Sequence, residues 1–126
     1  DLAMSGDASR MGQVLDNLIS NALKYTQDGG KVSLTATRSG ESALIEVADS
    51  GIGIPAAEQD QIFERFFRTS NAQFAGIPGT GLGLVVTRGI VEAHGGTLDF
   101  ESTEGIGTTF RIVMPLLHAP QIALVA

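Results

Sequence analysis

The chain has no cysteine. That removes a disulfide framework, a thiolate nucleophile and a zinc–thiolate site together. Histidine occurs only at His94 and His118, too few to build a metal cluster on imidazole. Positive charge is also scarce: eight Lys and Arg stand against fourteen Asp and Glu, a net charge of -6. Non-specific binding of DNA or RNA needs clustered cations to replace the counterions of the phosphate backbone, so no nucleic-acid partner is expected. Any anionic ligand has to be held by local charge. Long apolar runs are missing as well; none approaches the ~20 residues that span a bilayer, and the N-terminus has no basic region followed by a hydrophobic one. No direct membrane insertion is expected.

What the chain does hold is a core and a great deal of glycine. With 126 residues, 43% of them hydrophobic, it reads as a single domain of ordinary size. Five of its 16 glycines fall in two runs, Asp49-Ser50-Gly51-Ile52-Gly53-Ile54-Pro55 and Gly79-Thr80-Gly81-Leu82-Gly83-Leu84. Glycine loses more backbone entropy on folding than any other residue, so such runs need a reason. Tight turns are one reading. The other starts from Asp49, which ends an apolar run and so stands where a strand gives way to loop. Gly51 and Gly53 then allow close approach of the backbone to a flat ligand. The second run leads into an apolar helical pattern, and a helix start preceded by glycines exposes N–H groups that suit phosphate. No lysine follows either run, which excludes a Walker loop. Ala56 and Leu84 stand where the dinucleotide and protein-kinase patterns require glycine. What remains is one loop offering a carboxylate, able to accept from an exocyclic amine such as that of adenine, and one offering N–H groups.

In chain order, the spacing predicts a helix over residues 8–25 with Asp7 or Ser9 as N-cap. Met11, Val14, Leu15, Leu18, Ile19 and Ala22 form its apolar face, and Asn17, Asn21 and Lys24 form a stripe across from it. The stripe fits the wet side of a surface helix. It also fits a ligand site, because Asn disfavours helix by ~0.5 kcal/mol against Ala and its carbonyl oxygen suits Mg²⁺. Lys24 is placed to neutralise phosphate and Tyr25 to lie against a base. Lys31 to Arg38 and Ser42 to Ala48 alternate as a hairpin. A short helix follows from Pro55 to about Ile62. After Phe63-Glu64-Arg65-Phe66-Phe67-Arg68, the chain from Thr69 to Pro78 loses all periodicity and reads as a moving loop, with Arg65 or Arg68 at its entrance. A second helix runs from Leu82 to a glycine cap at His94-Gly95-Gly96, where His94 is a capping or exposed side chain. Thr97 to Ser102 and Thr108 to Met114 form another antiparallel pair.

These stretches resemble the four boxes of the sensor histidine kinase ATP-binding domain. Asn17 to Tyr25 is similar to the N box, Asp49 to Gly53 to the G1 box, Phe63 to Arg68 to the F box and Gly79 to Leu84 to the G2 box. The likeness covers residues 7 to 115. It implies a two-layer α/β sandwich of the gyrase, chaperone, histidine-kinase and mismatch-repair superfamily (the Bergerat fold), with a mixed, mostly antiparallel sheet and helices on one face. It also implies ATP and Mg²⁺ as ligands. Asn21 would ligate Mg²⁺ with Asn17 nearby, Lys24 would contact phosphate, and Tyr25 would pack near the base. Asp49 would accept the adenine amino group, with Gly51, Gly53 and Ile54 along the nucleotide. Residues 69 to 80 would form the lid, Gly79, Thr80, Gly81, Leu82, Gly83 and Leu84 would face the phosphates, Arg68 would reach the γ-phosphate, and Thr109 would support the adenine site.

Two departures shape the implied activity. Relatives that hydrolyse ATP unaided carry a Glu base one turn before the metal Asn; Asn17 stands there and cannot take a proton at neutral pH. The expectation is slow hydrolysis and transfer of the γ-phosphoryl group to a histidine, with Asn17, Lys24 and Arg68 as the catalytic set. Neither histidine here lies in a phosphoacceptor context. The histidine-bearing dimerisation domain is therefore expected upstream of Asp1 or on another chain, and a response regulator receiver domain downstream in the relay. The implied location is cytoplasmic, whether or not a membrane anchors the parent. A nucleotide-gated ATPase and a binding-only domain remain as alternatives, and residues 116–126 are an uninformative tail.

Overall fold

The computed structural model describes residues 8–116. Helix α1 (Ala8–Tyr25) buries Met11, Val14, Leu18 and Ala22 on one face. Ser9 lies inside this helix and not at its cap, while Asp7 lies outside the described residues, as do His118 and the tail after Leu116. Strands β1 (Val32–Ser39) and β2 (Ser42–Asp49) form the expected hairpin. The short helix expected after Pro55 is a 3₁₀ helix, Ala56–Gln61.

The stretch read as structureless contains a helix, α2 (Ser70–Phe74), capped by the Thr69 side chain, which accepts from the Ala72 N–H. Five residues with one buried side chain, Ala72, are too short to show a period. Helix α3 (Gly83–Ala93) ends as expected in a glycine cap: Gly95 N–H donates to Glu92 O and Gly96 N–H to Val91 O, 3.0 Å each. His94 Nδ1 lies 2.7 Å from the Ile90 carbonyl. Strands β3 (Thr97–Thr103) and β4 (Gly107–Pro115) complete one sheet in the order β1-β2-β4-β3, in which every described pairing is antiparallel.

The two-layer α/β sandwich follows from period-2 alternation. Ala43, Ile45 and Val47 of β2 and Phe110, Ile112 and Met114 of β4 point to one face, where α1 and α3 cover them. The opposite face is wet, and there Arg111 pairs with Glu46, Asp99 and Glu101. The same alternation positions the site. Asp49 continues the inward row of β2, Thr108 continues that of β4, and the two are directly paired.

Leu18, 1% exposed, and Leu23, 62% exposed, share a helix but not an environment. Leu18→Ala is expected to cost about 2–5 kcal/mol in urea unfolding, and Leu23→Ala no more than about 0.5 kcal/mol.

Candidate functional site

A cavity of about 280 Å³ opens between α1, the ends of β2 and β4, and the segment from Arg68 to Leu84. Asn17, Asn21, Lys24 and Tyr25 supply its α1 wall. They do so because the polar stripe flanks the buried face instead of opposing it. At 100° per residue, Asn21 lies about 20° around the helix from Val14 and Asn17 about 60°, and both are half-buried. Their roles diverge. Asn17 Nδ2 donates to Thr87 Oγ1 of α3 at 3.1 Å, a tie between two helices, and Thr87 is fully buried. The Asn21 amide has no hydrogen-bond partner among the described residues and faces the cavity.

Asp49 forms the opposite wall. Its Oδ1 accepts from Gly51 N–H at 2.8 Å and Thr108 N–H at 3.3 Å, and these bonds leave Oδ2 for a ligand. Burial raises its pKa, and the two backbone hydrogen bonds pull the other way. A half-buried carboxylate with one free oxygen is an acceptor poised for a neutral N–H donor.

Two cations stand at the third wall. A side chain placed on Gly79 would meet Lys24 Nζ at 3.6 Å and Arg68 Nε at 3.7 Å, so both flank one point of the glycine run. Lys24 Nζ also lies 5.6 Å from the Tyr25 ring centroid, and burial raises the Tyr25 pKa against the opposing charge of Arg68. The Arg68 guanidinium donates to the Ile77 carbonyl. Helix α3 begins at Gly83 with no side-chain cap, leaving first-turn N–H groups available beside the cavity.

Residues 6–118 match the family model described as histidine kinase-, DNA gyrase B-, and HSP90-like ATPase. The chain belongs to this family. It is similar to the circadian input-output histidine kinase CikA of Synechococcus elongatus, 45% identical over 109 residues that make up 86% of this chain and 14% of that protein. Among solved structures, the mycobacterial sensor histidine kinase MprB matches with a TM-score of 0.80 and 34% identity, over 90% of this chain and 77% of that one. Full-length ShkA, solved in complex with AMPPNP, matches with a TM-score of 0.78 and 30% identity, over 94% of this chain and 24% of that one. The chain spans 14% to 19% of the length of the first curated relatives it matches. Among the described residues no helix is long and apolar enough to cross a membrane.

Within this histidine-kinase-like ATPase domain, most of the residues singled out from sequence line the same cavity, including Gly53, Ile54, Thr80, Gly81, Gly83 and Leu84. Three lie elsewhere. Gly51 is buried off the cavity, where an added Cβ would sit 2.3 Å from Tyr25 O; its lack of a side chain serves the end of α1, not the approach of a ligand. Leu82 lines a separate groove with Arg65, Phe66, Val85 and Val86. Thr109 pairs with Ala48 on the sheet face away from the helices, and its neighbour Thr108 lines the cavity in its place. Thr108 and Thr87 were missed. The inward row Phe110, Ile112, Met114 signals Thr108 by parity, whereas Thr87 has no local signal.

The raised carboxyl at Asp49 has a stability sign. The folded chain holds this proton above the pH at which the unfolded chain loses it. The group's contribution is therefore full below the ordinary carboxylate range and is lost as pH rises through the raised value. Asp49→Asn keeps an Oδ1 acceptor for both N–H groups and removes the buried charge. At pH 7 the variant is expected to unfold at the same or a higher urea concentration than the parent chain, with the advantage fading below the ordinary carboxylate range.

Proposed function

We propose that this domain binds Mg-ATP in the cavity and transfers the γ-phosphoryl group to a histidine on a dimerisation domain outside this chain, as the catalytic module of a two-component sensor histidine kinase. A response regulator receiver domain would then take the phosphoryl group onward. The observation that carries the reading is that Asn21, Lys24, Asp49 and Arg68 open onto one cavity whose far side is the glycine run before α3. ATP binding is a property of the family, and AMPPNP in ShkA is in keeping with it.

The parts divide the ligand between them. The free Asp49 oxygen would accept from the amino group of adenine and repel the carbonyl that guanine shows in that place. Ile54 and Tyr25 would cover the base. Lys24, Arg68 and the first-turn N–H groups of α3 would take the phosphates, where donors fixed in advance stabilise charge without reorganising. The unpaired amide of Asn21 fits Mg²⁺ through its oxygen. A single protein oxygen would then complete a shell of phosphate and water oxygens. When bound, the ion would neutralise phosphate charge. Asn17 has no basic site for a proton and its Nδ2 is committed to Thr87, so no side chain at that place activates water. That favours transfer to an acceptor over hydrolysis.

The direct test supplies the purified chain with γ-labelled ATP, Mg²⁺ and a separate histidine-bearing domain. Label on the acceptor histidine is expected; release of free phosphate alone would make the chain an ATPase. Asn21→Ala is expected to abolish the Mg²⁺-dependent part of ATP affinity in calorimetry while leaving the metal-free part. Asp49→Asn is expected to weaken ATP about 10- to 100-fold, the worth of a hydrogen bond to a charged group, and to erase preference for ATP over GTP.

A further inference from the structure

The segment from Thr69 to Thr80 is joined to the loop after Asp49 by the side chain of Asn71. Its Nδ2 donates to Gly53 O at 3.0 Å and lies 3.4 Å from Ile52 O, while its Oδ1 accepts from Ala72 N–H at 2.9 Å. Beside it, Glu58 accepts from the Ser70 N–H at 2.8 Å and the Ser70 hydroxyl at 2.6 Å. Behind the loop the bonds continue to the base side. Ile54 N–H donates to Ser102 Oγ at 2.8 Å, Ser102 shares a 2.7 Å hydrogen bond with Thr108 Oγ1, and Thr108 N–H reaches Asp49. In front they continue to the phosphate side. Gln73 Nε2 donates to Arg68 O at 2.9 Å, and Ile77, whose carbonyl takes the Arg68 guanidinium, donates its own N–H to Ala72 O at 3.0 Å.

We propose that Asn71 is a positioning residue for the reaction assigned above. By holding α2 against Gly53 it sets Arg68 on the phosphate side of the cavity, so that the base half and the phosphate half of the site engage ATP together. The inference rests on the ATP reading of the cavity. The link is a side chain bonded at both ends, between two segments that each carry a ligand-facing group. Position 71 asks for a neutral donor. Two carbonyl oxygens accept an N–H and repel a carboxylate, while the Ala72 N–H needs only an oxygen. Asn71→Asp therefore keeps the bond within α2 and places a negative charge in a first helical turn where it is favourable, but turns the link to Gly53 and Ile52 into a repulsion; Asn71→Ala removes the link without adding that repulsion.

The test compares ATP with adenosine, which reports the base half alone, in the parent chain, Asn71→Asp and Asn71→Ala. ATP Kd is expected to rise about three- to tenfold in both variants, as for loss of one hydrogen bond, while adenosine Kd stays within about twofold. The melting temperature of Asn71→Asp should hold within about 3 °C; if Asn71→Ala fails to fold, Asn71→Asp alone decides. Equal weakening of both ligands would mean that Asn71 only shapes the base loop, and an unchanged ATP Kd would mean that Arg68 is placed without it. Either result overturns the proposal and leaves the ATP reading intact. A parent chain that binds neither ligand would overturn both.

Discussion

The site depends on the contact at which the end of α1 meets the loop after β2. Ile52 N–H donates to Tyr25 O at 3.1 Å, satisfying one of the carbonyls that a helix end leaves unpaired. The approach is close enough that residue 51 can carry no side chain. This contact fixes the distance between the Asn21 and Lys24 wall and the Asp49 wall. Without it, α1 would still bury Val14 and Leu18 against the sheet, since those contacts lie a turn or more away. The cavity would lose its definition before the core lost its packing. Glycine at 51 is a packing requirement that serves function at one remove.

Asp49 shows the tension between the two. The β2–β4 register turns it inward beside Thr108, and burial disfavours its charge. Two backbone N–H groups offset part of that cost through one oxygen, and the other oxygen stays free for a donor from outside. A carboxylate satisfied on both oxygens would make a more stable fold and a poorer acceptor. Thr108 is thereby part of the acid's environment: its hydroxyl is tied to Ser102 and its N–H to Asp49.

What could be read from the sequence follows the range over which each feature is specified. Long periodic elements were legible: α1, the two hairpins, and the glycine cap after α3 all announce themselves within a window of a few residues. So was the delivery of Asp49 to a strand end, and family resemblance supplied the fold. Features specified by distant partners were not. The Asn17 tie to Thr87 spans 70 positions and leaves no local trace. Helix α2 was hidden by its shortness, and the bonds of Asn71 to Gly53 by the loop around them. Thr109 is a different kind of miss. Counting back by twos from Met114 puts 112, 110 and 108 inward, so parity favours Thr108 over Thr109. The stripe of Asn17, Asn21 and Lys24 is legible as a stripe, but it borders the buried face of α1 and does not oppose it. At 100° per residue a stripe can border a buried face as easily as oppose it, and a bordering stripe is the one that can line a cavity.

The charge balance completes the picture. A chain of net charge -6 is a poor general attractor for a polyphosphate. Yet Lys24 Nζ and Arg68 Nε both lie within 3.7 Å of one point beside Gly79. At physiological salt, charges beyond a screening length of about 8 Å contribute little, while groups at the mouth of a partly enclosed cavity are screened less. The local pair therefore outweighs the distant acids. Three of those acids, Glu46, Asp99 and Glu101, are engaged with Arg111 on the far face of the sheet. Opposite signs line the same cavity, with the carboxylate of Asp49 on the strand wall and the two cations beside Gly79. A ligand neutral at one end and strongly anionic at the other meets complementary potential in one orientation only. Its reverse would set phosphate against carboxylate. On the nucleotide reading proposed above, the polarity of the cavity would favour one orientation of entry before any single hydrogen bond is made.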